Sequence, residues 1–213
     1  TGLSAGGSHR LVRSLSSYAY LVVALWMVER ENPGERPTML SGAKEDAWLQ
    51  AFLAQNPVPF APQVVGSEPF RMEIRNLMAR AGQMGLLPGD LVELGRTLDL
   101  PLWELAGRAY GEYAGWQDAF TLDTAHMDAA RIPRIAAHQL RSWEREAKGE
   151  GVLAKAPLPS VLLMDDVQDM PASTVPLVQA LADAGVQVVF TSSVDEAVAG
   201  FRGGAPGLGD AVA

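Results

Sequence analysis

From Leu11 onward, apolar residues recur at Leu15, Tyr18, Ala19, Val22, Trp26 and Met27, the spacing of a helix with one buried face. Asn32, Pro33 and Gly34 end it, with Pro37 close behind. The opening stretch, Thr1 to Ser8, is rich in Gly and Ser and reads as a loop. From Ser41 to about Gly149 the pattern is nearly all helical. Ser41 is placed to cap a helix carrying Ala47, Trp48, Ala51 and Phe52. After the Pro-rich stretch Asn56 to Pro62, Ser67-Glu68-Pro69 opens a helix whose Phe70, Ile74, Leu77, Met78 and Ala81 fall on one face. Residues 82–89 form a turn. Leu91, Leu94 and Leu98 mark a further helix, and Trp103, Ala106, Tyr110 and Ala114 another. The last amphipathic segment runs from about Asp123 to Ala147, with a kink or break at Pro133.

The character changes at Lys155. Val161 to Met164 is a short continuous apolar run that ends in acids, which suits a buried parallel strand better than a surface one. Val175 to Ala184 follows as a helix stopped by Gly185, and Val186 to Phe190 is a second strand. Strand, helix, strand is the building block of an open α/β sheet. One such unit does not make a domain by itself, so these strands are expected to share a sheet with others.

The chain has 213 residues, 48% hydrophobic and 20% charged, which is ordinary for a folded protein with one large or two small cores. The longest apolar run of the first half, Tyr18 to Val28, is too short to cross a bilayer, and the expectation is a cytoplasmic protein with no membrane partner. With no cysteine there is neither a disulfide nor a thiolate metal site, and His9, His126 and His138 lack the spacing that zinc needs. A net charge of −8 argues against a free-standing nucleic-acid binder, because nonspecific affinity comes mainly from Lys and Arg on phosphates. A local contact from one edge of a larger assembly stays open. The tryptophans at helical spacings read as packing residues, and Arg71, Arg75 and Arg80 as a solvated face.

The strongest chemical signal is Asp165-Asp166-Val167-Gln168-Asp169 directly after the apolar strand. Acids at the carboxyl end of a parallel strand sit where α/β sheets bind ligands, and a carboxylate there can hold Mg²⁺ beside a nucleotide's phosphates. The same residues also suit a strand leaving the core through polar positions. They suit as well the start of a receiver domain, truncated before the phosphoacceptor Asp that such a fold needs.

Three segments together resemble the UvrD/Rep-like superfamily I DNA helicases. Asp165 to Asp169 resembles their D-E-x-Q-D motif. Ser193-Val194-Asp195-Glu196-Ala197 through Phe201-Arg202-Gly203-Gly204 resembles the next motif, G-D-x-D-Q followed by an aromatic-R-G-A. Val12 to Tyr18 is similar to the T-x-H-S segment that lines the single-strand channel, and the helical middle is similar to the insertion of RecB-like and AdnA-like motor subunits.

The resemblance implies an α/β fold by family but mostly α by content: a helical insertion subdomain beside an incomplete parallel RecA-like sheet. Residues 1–30 would belong to the first RecA-like domain, 31–150 to the insertion, and 151–213 to the strand-helix-strand with its two motifs. Asp165 takes the place of the Mg²⁺ carboxylate, Asp166 that of the Glu activating the attacking water, and Gln168 links the site to neighbouring motifs. Glu196 stands for the Gln that senses the γ-phosphate. Ser16, Ser17, Tyr18, Phe201 and Arg202 take the positions that contact DNA, Phe201 by stacking on a base. The partners implied are DNA, the remaining helicase domains and a second motor or nuclease subunit, in a bacterial cytoplasm.

Departures from the family pattern qualify the activity. Asp166 is one methylene shorter than Glu, and displacements near 1 Å can cost on the order of a hundredfold in rate. Glu196 sets a carboxylate where a neutral donor meets phosphate oxygens, and Ser16 stands where the family has His. No G-x-x-x-x-G-K-[ST] occurs, so nothing here cradles the β and γ phosphates. ATP and Mg²⁺ are therefore expected as cofactors of a complete protein, and neither of this chain alone. The alternative is a scaffold that holds DNA or a partner subunit without catalysis.

Overall fold

The computed structural model describes residues 12–30, 38–39, 42–120, 126–127, 131–147, 156–193, 195–200 and 204–212. Helix α1 spans Leu15–Arg30 and begins later than the apolar pattern alone suggests, because the Ser14 hydroxyl accepts from the Ser17 N–H at 3.2 Å and caps it. Strand β1, Thr38–Met39, precedes α2, Gly42–Gln55. A single turn of helix, α3, Pro62–Val65, occupies the end of the Pro-rich stretch. Helix α4, Glu68–Gln83, starts at Ser67, whose Oγ accepts from the Phe70 N–H at 3.4 Å. Pro88 and Pro101 open α5, Pro88–Thr97, and α6, Pro101–Phe120.

Strand β2, His126–Met127, pairs in parallel with β1. Helix α7 spans Ile132–Ala147. Of the kink or break expected at Pro133, the structure shows a break: the stretch from Asp123 is not one helix, since His126–Met127 is a strand and α7 begins at Ile132. Pro133 lies in the first turn of α7, where its missing N–H has no helical partner to lose, so it helps begin the helix. Strand β3, Val161–Met164, is followed by two single 3₁₀ turns, Val167–Asp169 and Ala172–Thr174, then α8, Val175–Asp183, and β4, Gln187–Phe190. Gly185, at φ 86°, terminates α8 as the sequence suggests, and the Val186 N–H reaches back to the Leu181 carbonyl at 3.0 Å. A short helix, α9, Leu208–Val212, closes the described chain.

Among the described residues the architecture is thus mostly helical, with two small parallel sheets of two strands each. Buried apolar residues gather in two clusters. One joins Leu49, Phe52 and Leu53 of α2 to Phe70 and Ile74 of α4, Leu91 of α5 and Leu105, Ala109 and Tyr110 of α6. The other joins Ala19, Val22, Val23 and Met27 of α1 to Ile132, Ala136 and Leu140 of α7 and Leu177 and Leu181 of α8. Helix α7, read from sequence with the middle helices, therefore buries Ile132, Ala136, Ala137 and Leu140 against α1 and α8, and the rings of Trp26 and Trp143 meet edge to face at 5.3 Å.

In the second sheet, β3 and β4 run parallel with Val161 opposite Gln187 and Met164 opposite Phe190. Leu162 packs on the α1–α7–α8 cluster, while Leu163 is 75% exposed, Val189 47% and Val161 46%. This corrects the reading of Val161–Met164 as a buried strand. Helices cover one face only, and among the described residues no strand or helix covers the other.

Candidate functional site

Because β3 and β4 are parallel and in register, the residues that follow them meet at one sheet edge. Thr191, directly after β4, continues the ladder: its N–H donates to the Met164 carbonyl at 3.0 Å, and its carbonyl accepts from the Val167 N–H at 3.1 Å. Its hydroxyl donates to Asp165 Oδ1 in a short contact and accepts from the Asp166 N–H at 3.1 Å. Asp165 and Asp166 are both exposed at this carboxyl edge. The chain turns there through Asp166, which sits at φ 51°, a left-handed conformation that Asp adopts more readily than most side chains.

The turn brings two distant segments together. Gln168, buried, donates from Nε2 to Asp166 Oδ1 at 3.2 Å and accepts at Oε1 from the Ser193 N–H at 2.9 Å. Asp169 Oδ1 accepts from the Ala199 N–H at 3.0 Å. Gly204 lies so close that a Cβ there would stand 2.7 Å from the Gln168 carbonyl oxygen. Residues 165–169 are thus fastened to the stretch that bears Glu196, itself exposed. Phe201 and Arg202 lie outside the described residues.

Ser16 and Ser17 are exposed at the start of α1. Tyr18 is not beside them in role: its hydroxyl donates to the Pro157 carbonyl at 2.9 Å, and its ring packs on the α1–α7–α8 cluster. Burial pushes its pKa up to about 12, with the Arg13 cation opposing. Arg71 and Arg75, read as a solvated face, pair with Asp46 at 2.9 Å and Glu45 at 2.7 Å and so tether α4 to α2. The Arg71 hydrogen bond holds the Asp46 carboxyl below the usual range.

Thr191 escaped sequence reasoning, although it is the first polar residue after an apolar strand. Asp169 had no role there beyond completing a motif. Chemically, the edge offers one carboxylate backed by a hydroxyl, a second carboxylate a residue away, and open space in front of both. Among the described residues no group of three acidic or imidazole side chains converges to cage a metal by itself, and no helix is long and apolar enough to cross a membrane. Compared with protein-family models and with curated proteins, the chain matches none.

Proposed function

We propose that this chain contributes part of the Mg-ATP site and part of the strand-contacting edge of an ATP-driven DNA motor of the UvrD/Rep-like superfamily I kind, with hydrolysis weakened at Asp166 and Glu196. The observation that carries the reading is the convergence at one sheet edge: Thr191 holds Asp165, and Gln168 and Asp169 bind the backbone of the segment carrying Glu196. Ligands of open α/β sheets sit outside that edge. The donor set fits magnesium, which takes hard oxygens, keeps several waters and needs only one or two protein carboxylates beside a substrate phosphate. Asp165 would hold the ion, which when bound neutralises charge on the phosphates. The open face of the β3–β4 sheet agrees with a covering layer of helices supplied from elsewhere in a complete protein.

Asp166 takes the water-positioning role with a shorter reach, and Glu196 faces the phosphates with the wrong charge. Ser16, Ser17, Phe201 and Arg202 are assigned to the DNA strand. Tyr18 is better read as packing, since its hydroxyl is committed to Pro157. Such a motor acts on DNA in a bacterial cytoplasm beside a second motor or nuclease subunit.

The test is DNA-stimulated ATP hydrolysis by the natural protein that carries this chain, as it stands and with Asp166→Glu. Slow hydrolysis raised about tenfold or more by the longer acid supports the motor, in line with the steep cost of misplacing a reacting group. Absence of hydrolysis in both forms overturns it. The scaffold reading gains from one observation: Asp165 and Asp166 each accept a hydrogen bond that fastens the turn, a structural use that needs no nucleotide.

A further inference from the structure

A cavity of about 390 Å³ lies between the two buried clusters, where the end of α4 and Tyr110 of α6 face α7, the start of α8 and α9. Met84, Tyr110, Pro176 and Leu208 give it apolar walls. Two polar groups stand among them. Arg134 of α7 lines the cavity and, among the described residues, its guanidinium makes no ion pair. Ser173 also lines it, is only 8% exposed, and its hydroxyl makes no hydrogen bond among the described residues. A different cavity, about 310 Å³ beside Trp48 and Tyr113, differs on this point, since its Arg75 is already paired with Glu45.

We propose that the cavity between the clusters binds a small carboxylate with a flat apolar body, its acid group on the Arg134 guanidinium and the Ser173 hydroxyl and its body between Tyr110, Met84 and Leu208. The volume lies within the range of small-ligand sites, in which apolar walls supply affinity and a few polar groups fix orientation. Arg is suited to the task because its planar donors match a carboxylate. The proposal is independent of the nucleotide reading, which concerns the opposite use of acidic groups at the sheet edge.

Titration of the chain with naphthalene-2-carboxylate and with naphthalene-2-carboxamide, followed by calorimetry or ligand-detected NMR, tests it. The carboxylate is expected to bind saturably and about tenfold or more tighter than the amide, as a charge-assisted hydrogen bond allows. Arg134→Gln, at an exposed position, should erase that difference. Ala211→Trp, at the exposed rim, should block both probes, with the melting temperature of each variant reporting that it is folded. Equal affinity for the two probes, no saturable binding of either, or carboxylate binding unchanged in Arg134→Gln or Ala211→Trp each overturns the proposal.

Discussion

Asp166 turns the chain at φ 51° and accepts from Gln168, so its side chain serves the backbone whether or not it serves a nucleotide. Asn keeps both the tolerance of this conformation and an acceptor. Asp166→Asn should therefore leave stability within about 0.5 kcal/mol, while Asp166→Ala should cost about 1 kcal/mol, measured by urea unfolding. Tyr18 gives a pH-dependent prediction. Its proton is held more tightly in the folded state, with a pKa of about 12 against 10.0 for the free side chain, so its contribution is complete below pH 10 and is lost as the pH climbs toward 12. Melting temperatures between pH 9 and 12 should fall less steeply in Tyr18→Phe than in the parent chain. The acids were legible in sequence because a carboxylate after an apolar run is conspicuous. Thr191 was not, because only the parallel register of β3 with β4 carries it to Asp165.

Two helix boundaries are legible from the residues that make them, while Ser41, expected to cap α2, lies outside the described residues. Ser67-Glu68-Pro69 starts α4 and Gly185 ends α8 as the chemistry of caps requires. At Pro133 the pattern allows a kink or a break, and the observed first turn of α7 decides for the break, with the proline helping to start the new helix. The buried face of α4 follows the expected spacing through Phe70, Ile74 and Ala81, whereas α2 buries Leu49, Phe52 and Leu53 and leaves Ala47 and Ala51 exposed, and Leu98 is 55% exposed past the end of α5. The partners of a face are not in the spacing at all, as α7 shows by packing on α1 and α8. Between α2 and α4, Arg71 donates to Asp46 across the helix pair. A double-mutant cycle with Arg71→Ala and Asp46→Ala should give a coupling of roughly 0.5–1 kcal/mol at pH 7. Since the Asp46 pKa is lowered on folding, that coupling is present above the ordinary carboxylate pKa and vanishes as the pH falls through the folded value.

At the scale of the whole molecule, the two clusters and the half-covered sheet set where the chain is firm and where it is open. Leu177 is fully buried in the α1–α7–α8 cluster, whereas Leu163 is 75% exposed on the bare face of the sheet. Leu177→Ala should cost about 2–5 kcal/mol and Leu163→Ala less than about 1 kcal/mol, read from the same urea titration. Alternation along β3 was hidden in the sequence, since all four residues are apolar and an unbroken apolar run gives no sign of which face lacks a cover. Under the proposed function, Asp165 stands in half of a magnesium-nucleotide pocket completed by other parts of a larger protein. Binding of a fluorescent ATP analogue to the natural protein carrying this chain, with and without Mg²⁺ and in Asp165→Ala, tests it most directly. Magnesium-dependent binding, weakened about tenfold or more by the substitution, is the expected result. Absent binding, or binding indifferent to both magnesium and Asp165, would contradict it.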